Sequence, residues 1–127
     1  MTLKRISTGS DFEHTIGYSR AVIDDRYVFI SGTTGYNYDT MQIAESPADQ
    51  ANQCMENIAS VLTEAGCTWS DVVRVNYILP VREDFEPCWP ILKSYLGDGA
   101  PAATMIVADL YDPALKIEIE VTARLPE

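Results

Sequence analysis

Residues 99–123, GAPAATMIVADLYDPALKIEIEVTA, decide how this chain is read. They form two strand-like runs, Thr104 to Leu110 and Lys116 to Thr122, joined by a turn at Tyr111-Asp112-Pro113. Strand side chains alternate with period two. Ile117, Ile119 and Val121 therefore share one face of the second run, and Lys116, Glu118, Glu120 and Thr122 the other. Two carboxylates on one face of an otherwise apolar element are either an exposed rim or the floor of a site.

Working outward, the chain's 127 residues fit a single domain, 1–127. Roughly two-thirds of the unfolded surface of such a chain can be buried, so a core is attainable without disulfides or metal. The 46% hydrophobic and 22% charged content is that of a globular protein rather than a disordered one. No apolar run reaches the roughly 18 residues of a membrane span. MTLKRISTGSDFEH at the N-terminus has no apolar segment of signal-peptide type. The expected location is cytoplasmic, away from membranes. The net charge of -10, with no Lys/Arg cluster, argues against nucleic acid as a partner. Cys54, Cys67 and Cys88 are odd in number and form no CxxC pair, which suits reduced thiols.

Towards the N-terminus, Leu3 to Ile6 reads as a short strand and Ser7 to Gly17 as a polar loop. Ser19 to Ile23 and Tyr27 to Gly32 read as strands joined by a tight turn at Asp24-Asp25-Arg26. Thr33 to Ala44 reads as a loop. A helix follows, with Ser46 as N-cap, Pro47 in the first position, Asp49 closing a capping-box-like start, and Gly66 as the left-handed stop. Its inward stripe is Ala51, Cys54/Met55, Ile58, Val61/Leu62 and Ala65. Val72 to Leu79 is another strand. Asp84 to Leu96 is a second helix, with Phe85, Trp89, Leu92, Tyr95 and Leu96 inward and Pro90 marking either a kink or the true start.

The implied class is α+β, a mixed sheet with two helices packed on one face. Two helices cannot cover both faces of such a sheet. Yet Tyr27-Val28-Phe29-Ile30 and Thr104–Leu110 are apolar on both sides, so a partner subunit is the economical cover.

The lone His14 sits in a polar stretch with no nucleophile-elbow glycine pattern, so a triad is not indicated. Metal-ligand spacing and phosphate-binding glycine motifs are missing, so neither a metal nor a cofactor is expected. Ser31-Gly32-Thr33 is either a plain strand exit or a place where glycine lets a ligand approach the backbone. Tyr18 and Arg20 share one strand face. If the Glu118 face meets a subunit, its carboxylate must be paired, hydrogen-bonded or protonated, which makes it an acid/base candidate in a dry crevice.

Taken together, Tyr18-Ser19-Arg20-Ala21-Val22, Val28-Phe29-Ile30-Ser31-Gly32-Thr33, Gln50, Asn57, Leu62…Ala65-Gly66, Asp71-Val72-Val73, Asp84-Phe85, Pro101-Ala102 and Lys116-Ile117-Glu118-Ile119-Glu120 resemble the RidA family, also called YjgF or L-PSP-like. The resemblance runs from Tyr18 to Ala123. It implies a chorismate-mutase-like fold and a homotrimer with small-molecule clefts between subunits. It also implies hydrolysis of reactive imines and enamines to ketoacid and ammonia. On that pattern Glu118 positions the attacking water, Tyr18 and the Ser31, Gly32 and Thr33 strand end line the pocket, and Trp89 and Thr104 flank it. An arginine that holds the substrate carboxylate would stand at Ala103, where this chain has a methyl group. Losing a charge-assisted contact in a desolvated cleft costs ~2–5 kcal/mol, and no methyl replaces a guanidinium fork.

The expectation is therefore an imine/enamine deaminase or related hydrolase of altered specificity, not directed at amino-acid-derived 2-aminoacrylate. The alternative is a non-catalytic trimeric metabolite-binding protein. The ribonuclease role attached to the family name is disfavoured by the charge.

Overall fold

A computed structural model describes residues 3–127. Its main feature is a six-stranded sheet in the order β1-β2-β3-β8-β6-β7. The strands are β1 (Lys4–Ile6), β2 (Ala21–Asp24), β3 (Tyr27–Thr34), β6 (Val72–Leu79), β7 (Ala102–Val107) and β8 (Glu118–Arg124). All pairings are antiparallel except β6 with β7. A small hairpin, β4 (Tyr36–Asn37) with β5 (Gln42–Ile43), stands apart from it. The sheet is thus mixed, and the α+β class holds.

The helix α2 (Pro47–Ala65) forms where its caps predict. The Ser46 hydroxyl accepts the Asp49 N–H, and Gly66 closes the helix at φ 89°. Its stripe of Ala51, Cys54, Met55, Ile58, Val61 and Leu62 is buried against Val28, Ile30, Val75, Leu79, Ile119 and Val121 of the sheet. The alternation expected of β8 is realised: Ile119, Val121 and Ala123 point into this core, and Glu118, Glu120 and Thr122 point away. The second helix, α3 (Trp89–Leu96), starts at the Pro90 alternative rather than at Asp84. Two turns of 3-10 helix, Arg82–Asp84 and Glu86–Cys88, precede it, because Pro87 and Pro90 interrupt the bonding a continuous helix needs. Leu92 is buried, but Trp89 is 52% exposed and not inward as expected.

Three further expectations are corrected. Ser7–Gly17 is not all loop: a six-residue helix, α1 (Asp11–Ile16), is capped by Ser10 and ended by Gly17 at φ 96°. Thr33–Ala44 contains the end of β3 and the β4–β5 hairpin. The two strands of residues 99–123 have shifted bounds, Ala102–Val107 for Thr104–Leu110 and Glu118–Arg124 for Lys116–Thr122, and β6 lies between them.

The face opposite the helices carries Tyr27 and Phe29, 45% and 48% exposed. With Val73, Arg74, Ala102 and Thr122 they line a shallow groove of about 420 Å³. The edge strand β7 is exposed along its whole length. Within one chain, β3 is covered on one side only and β7 stays exposed.

Candidate functional site

The end of β3 is built around a bulge. Between the Ile30↔Val121 and Thr33↔Ile119 pairs, Ser31 and Gly32 oppose the single residue Glu120. The extra residue turns the chain so that Gly32 lies under the Glu118 side chain. A Cβ on Gly32 would occupy the place of the Glu118 carboxylate, so this glycine lets the carboxylate lie on the backbone and answers to that contact, not to its own dihedrals. The Ser31 hydroxyl donates to the Ser19 carbonyl at 2.7 Å and fixes the bulge to the segment before β2. Thr33 turns the other way: it is 1% exposed, and its hydroxyl donates to the Ser31 carbonyl at 2.9 Å. Its carbonyl accepts from the Cys54 thiol at 3.4 Å, so Thr33 belongs to the core and not to the open side of the bulge.

Glu118 makes no hydrogen bond to another side chain or backbone group among the described residues, while Glu120 beside it accepts from Asn76 Nδ2 at 2.7 Å. The two carboxylates therefore differ: Glu120 is engaged and Glu118 is free to take a water or a ligand. Burial raises the Glu118 pKa, the nearby Arg20 guanidinium opposes that rise, and the Glu120 charge adds to it. Burial likewise raises Tyr18, against the pull of Arg20. The Arg20 guanidinium carbon lies 5.9 Å from the centre of the Tyr18 ring. Tyr18, Arg20, Ser31, Gly32 and Glu118 are thus gathered at one end of the sheet.

Trp89, Ala103 and Thr104 are not among them. Ala103 pairs with Val75 across β6–β7 and faces the helices. It lines a separate pocket of about 270 Å³ whose walls include Tyr77, Phe85, Trp89 and Leu92. Phe85 links the aromatic wall, with ring centres 5.1 Å from Tyr77 and 6.0 Å from Trp89. Thr104 pairs with Asn76 in register. A single chain therefore presents two half-sites with β6 between them.

Gln50 and Asn57 hold the first half-site from behind. The fully buried Gln50 amide donates to the Ala44 and Ala114 carbonyls and accepts the Lys116 N–H, all within 2.9 Å. Asn57 Nδ2 donates to the Thr34 and Tyr36 carbonyls. Together these two amides of α2 hold both ends of the 34–44 segment, and Gln50 also holds the 114–116 stretch that leads into Glu118. Their polarity within a helical stripe was the available signal, without a partner to attach it to. A second carboxylate, Glu13 of α1, is buried beside Tyr18. Burial raises its pKa, but bonds from Thr8, Ser7 and Ser10 outweigh that and hold it below the usual carboxylate range.

The three cysteines are free and buried. Burial pushes Cys54 far up and Cys88 to about 11, so neither is poised as a thiolate. Among the described residues no cluster of three His, Cys, Asp or Glu side chains is placed to hold a metal ion. No helix among them is long and apolar enough to cross a membrane.

Known proteins of one family match nearly the whole chain. A family model described as Endoribonuclease L-PSP matches residues 8–125. A human protein named 2-iminobutanoate/2-iminopropanoate deaminase is 30% identical over 123 residues, 95% of this chain and 90% of that one. A crystal structure of a YjgF/YER057c/UK114 family member from Mycobacterium tuberculosis superposes with a TM-score of 0.87 at 30% identity, covering 98% of this chain and 100% of that one. RidA from an Antarctic Psychrobacter superposes at 0.83 with 27% identity, covering 98% and 99%.

Proposed function

This chain belongs to the L-PSP family, the RidA or YjgF proteins, and from that premise we propose that it hydrolyses a small imine or enamine in a cleft completed by a second subunit of a homotrimer. One observation carries the reading. Glu118 is a partly buried carboxylate with no hydrogen-bonding partner of its own, seated on Gly32 beside Tyr18.

In the reaction, Glu118 accepts a proton from a water held against it. The water oxygen bonds to the electrophilic carbon of the C=N group, and the nitrogen takes up the proton. Glu118 then takes the proton of the new hydroxyl and passes it to the nitrogen; the C–N bond breaks as the C=O bond forms, leaving a carbonyl compound and ammonia, with Glu118 again a carboxylate. An enamine first takes a proton at carbon and then follows the same course. General-base help of this kind is worth ~10²–10⁴-fold. The Tyr18 hydroxyl is the polar group available to orient the substrate, since the Ser31 N–H and the Ser31 and Gly32 carbonyls are engaged within the chain.

The substrate differs from that of the named deaminases. Ala103 offers no guanidinium fork in the second half-site; Lys93 stands on its wall as a point charge that donates to the Gly97 carbonyl at 3.3 Å, and Tyr77, Phe85, Trp89 and Leu92 favour an apolar substituent. The same feature supports a second reading, a trimeric metabolite-binding protein without turnover.

The test is release of ammonia from a panel of enzymatically generated imines, by wild type and Glu118→Gln. Turnover lost in Glu118→Gln supports catalysis. Equal turnover in both removes Glu118 as the base, and thermal stabilisation by ligands with no turnover of any substrate favours the binding reading.

A further inference from the structure

Arg20 is 4% exposed, yet among the described residues it forms no ion pair. Its Nη2 donates to the Gly32 carbonyl at 2.6 Å, and its buried Nε has no partner at all. A buried guanidinium so incompletely bonded destabilises the fold unless another charge offsets it. The carboxylate available to do so is Glu118, which rests on the same Gly32 whose carbonyl Arg20 holds. Gly32 thus separates the two charges, with cation on its carbonyl and anion over its Cα.

We propose that Arg20 is the positioning residue of this site: it pins the Gly32 bulge beneath Glu118 and supplies the positive charge against which Glu118 stays a proton acceptor. The inference rests on Glu118 acting as the base. The other titratable groups facing Glu118 work against the acceptor form or are neutral. Glu120 on β8 repels its charge, and Tyr18 and Cys54 carry no charge at neutral pH. Arg20 is then the one cation facing Glu118 among the described residues.

The test is carboxyl NMR of protein labelled with ¹³C-glutamate, with the Glu118 signal assigned by its loss in Glu118→Gln. In Arg20→Gln the Glu118 titration midpoint moves up, and in Arg20→Lys it stays below that of the Gln variant. The acid limb of the kcat/KM profile moves the same way. A midpoint unchanged by Arg20→Gln overturns the inference. If Arg20→Gln alone does not fold, the double variant Arg20→Gln/Glu118→Gln folds, because both charges leave together; its failure to fold makes Arg20 purely structural and also overturns the inference. The NMR midpoint is read without substrate. A shifted midpoint without imine hydrolysis therefore sinks the catalytic reading but keeps the coupling, and hydrolysis with an unmoved midpoint sinks only the role given to Arg20.

Discussion

The Glu118 carboxylate lies directly on the backbone of Gly32, in the space a Cβ would occupy. The contact joins the two strands that build the half-site and sets where the carboxylate points. Gly32 has no left-handed φ, so alanine fits its backbone. The atom it displaces is the far end of a flexible side chain. Gly32→Ala should therefore leave stability nearly unchanged while moving the carboxylate. A displacement of about 1 Å at a reacting group costs ~10²-fold. The expected result is a melting temperature close to wild type with kcat/KM down by that order, measured on whichever imine the wild type accepts. A large loss of stability would mean that Glu118 cannot yield and that the contact is structural.

Glu118 also makes stability depend on pH. Burial raises its pKa above that of the unfolded chain. Between the two values the folded state holds more protons than the unfolded, so the contribution of Glu118 is present at low pH and lost as pH rises through the folded value. Wild type should therefore lose stability relative to Glu118→Gln as pH rises through the folded value, while the absolute difference also carries the Arg20 guanidinium that the substitution leaves without its carboxylate. Glu13 has the opposite sign. Its lowered pKa gives stability that is present above the unfolded value and lost as pH falls through the folded one. A stability difference between wild type and Glu118→Gln that does not change with pH would contradict this account.

The open sheet face gives a third expectation. Phe29 is 48% exposed in the single chain and lies beside Tyr27 in the groove opposite the helices. If copies of this chain cover that face, Phe29→Asp removes ~1.5–3 kcal/mol of apolar burial per site and adds an unpaired charge. Sedimentation of wild type should give a trimer and of Phe29→Asp a smaller species. A wild type that sediments as a monomer would leave the face without the cover proposed for it.

Much of this was legible because local patterns carried it. The faces of β8 follow from alternation in Lys116–Thr122, and α2 follows from Ser46 and Gly66 as caps around an apolar stripe. The parts that were not legible depend on partners distant in sequence. Alternation says which face a residue takes but not which strand lies beside it, so β6 between β7 and β8 could not be read from residues 99–123. For the same reason Ala103 and Glu118, though fifteen positions apart in one motif, fall in different half-sites. The helix α1 escaped because its caps frame only six residues, and its buried member is Glu13 rather than an apolar one. Arg20 was visible beside Tyr18, but its bond to Gly32 was not.

Ala103 tests the specificity most directly. It stands on the wall of the aromatic pocket, paired with Val75 and next to exposed Trp89. Ala103→Arg would place a guanidinium there, on the edge strand, where its side chain has room in a pocket of about 270 Å³. Because the strand is exposed, the change should cost little stability. The new cation would hold a substrate carboxylate by a paired fork. A contact of that kind is worth ~2–5 kcal/mol in a desolvated cleft, or about 30-fold and upward in kcat/KM. Ala103→Arg should therefore gain activity on 2-iminopropanoate and lose it on imines bearing apolar substituents, while Glu118→Gln abolishes both activities. The check is a two-substrate comparison of kcat/KM for wild type, Ala103→Arg and Ala103→Arg/Glu118→Gln. Rapid hydrolysis of 2-iminopropanoate by the wild type would show that this chain does without a cation at position 103, and the apolar reading of its cleft would fall.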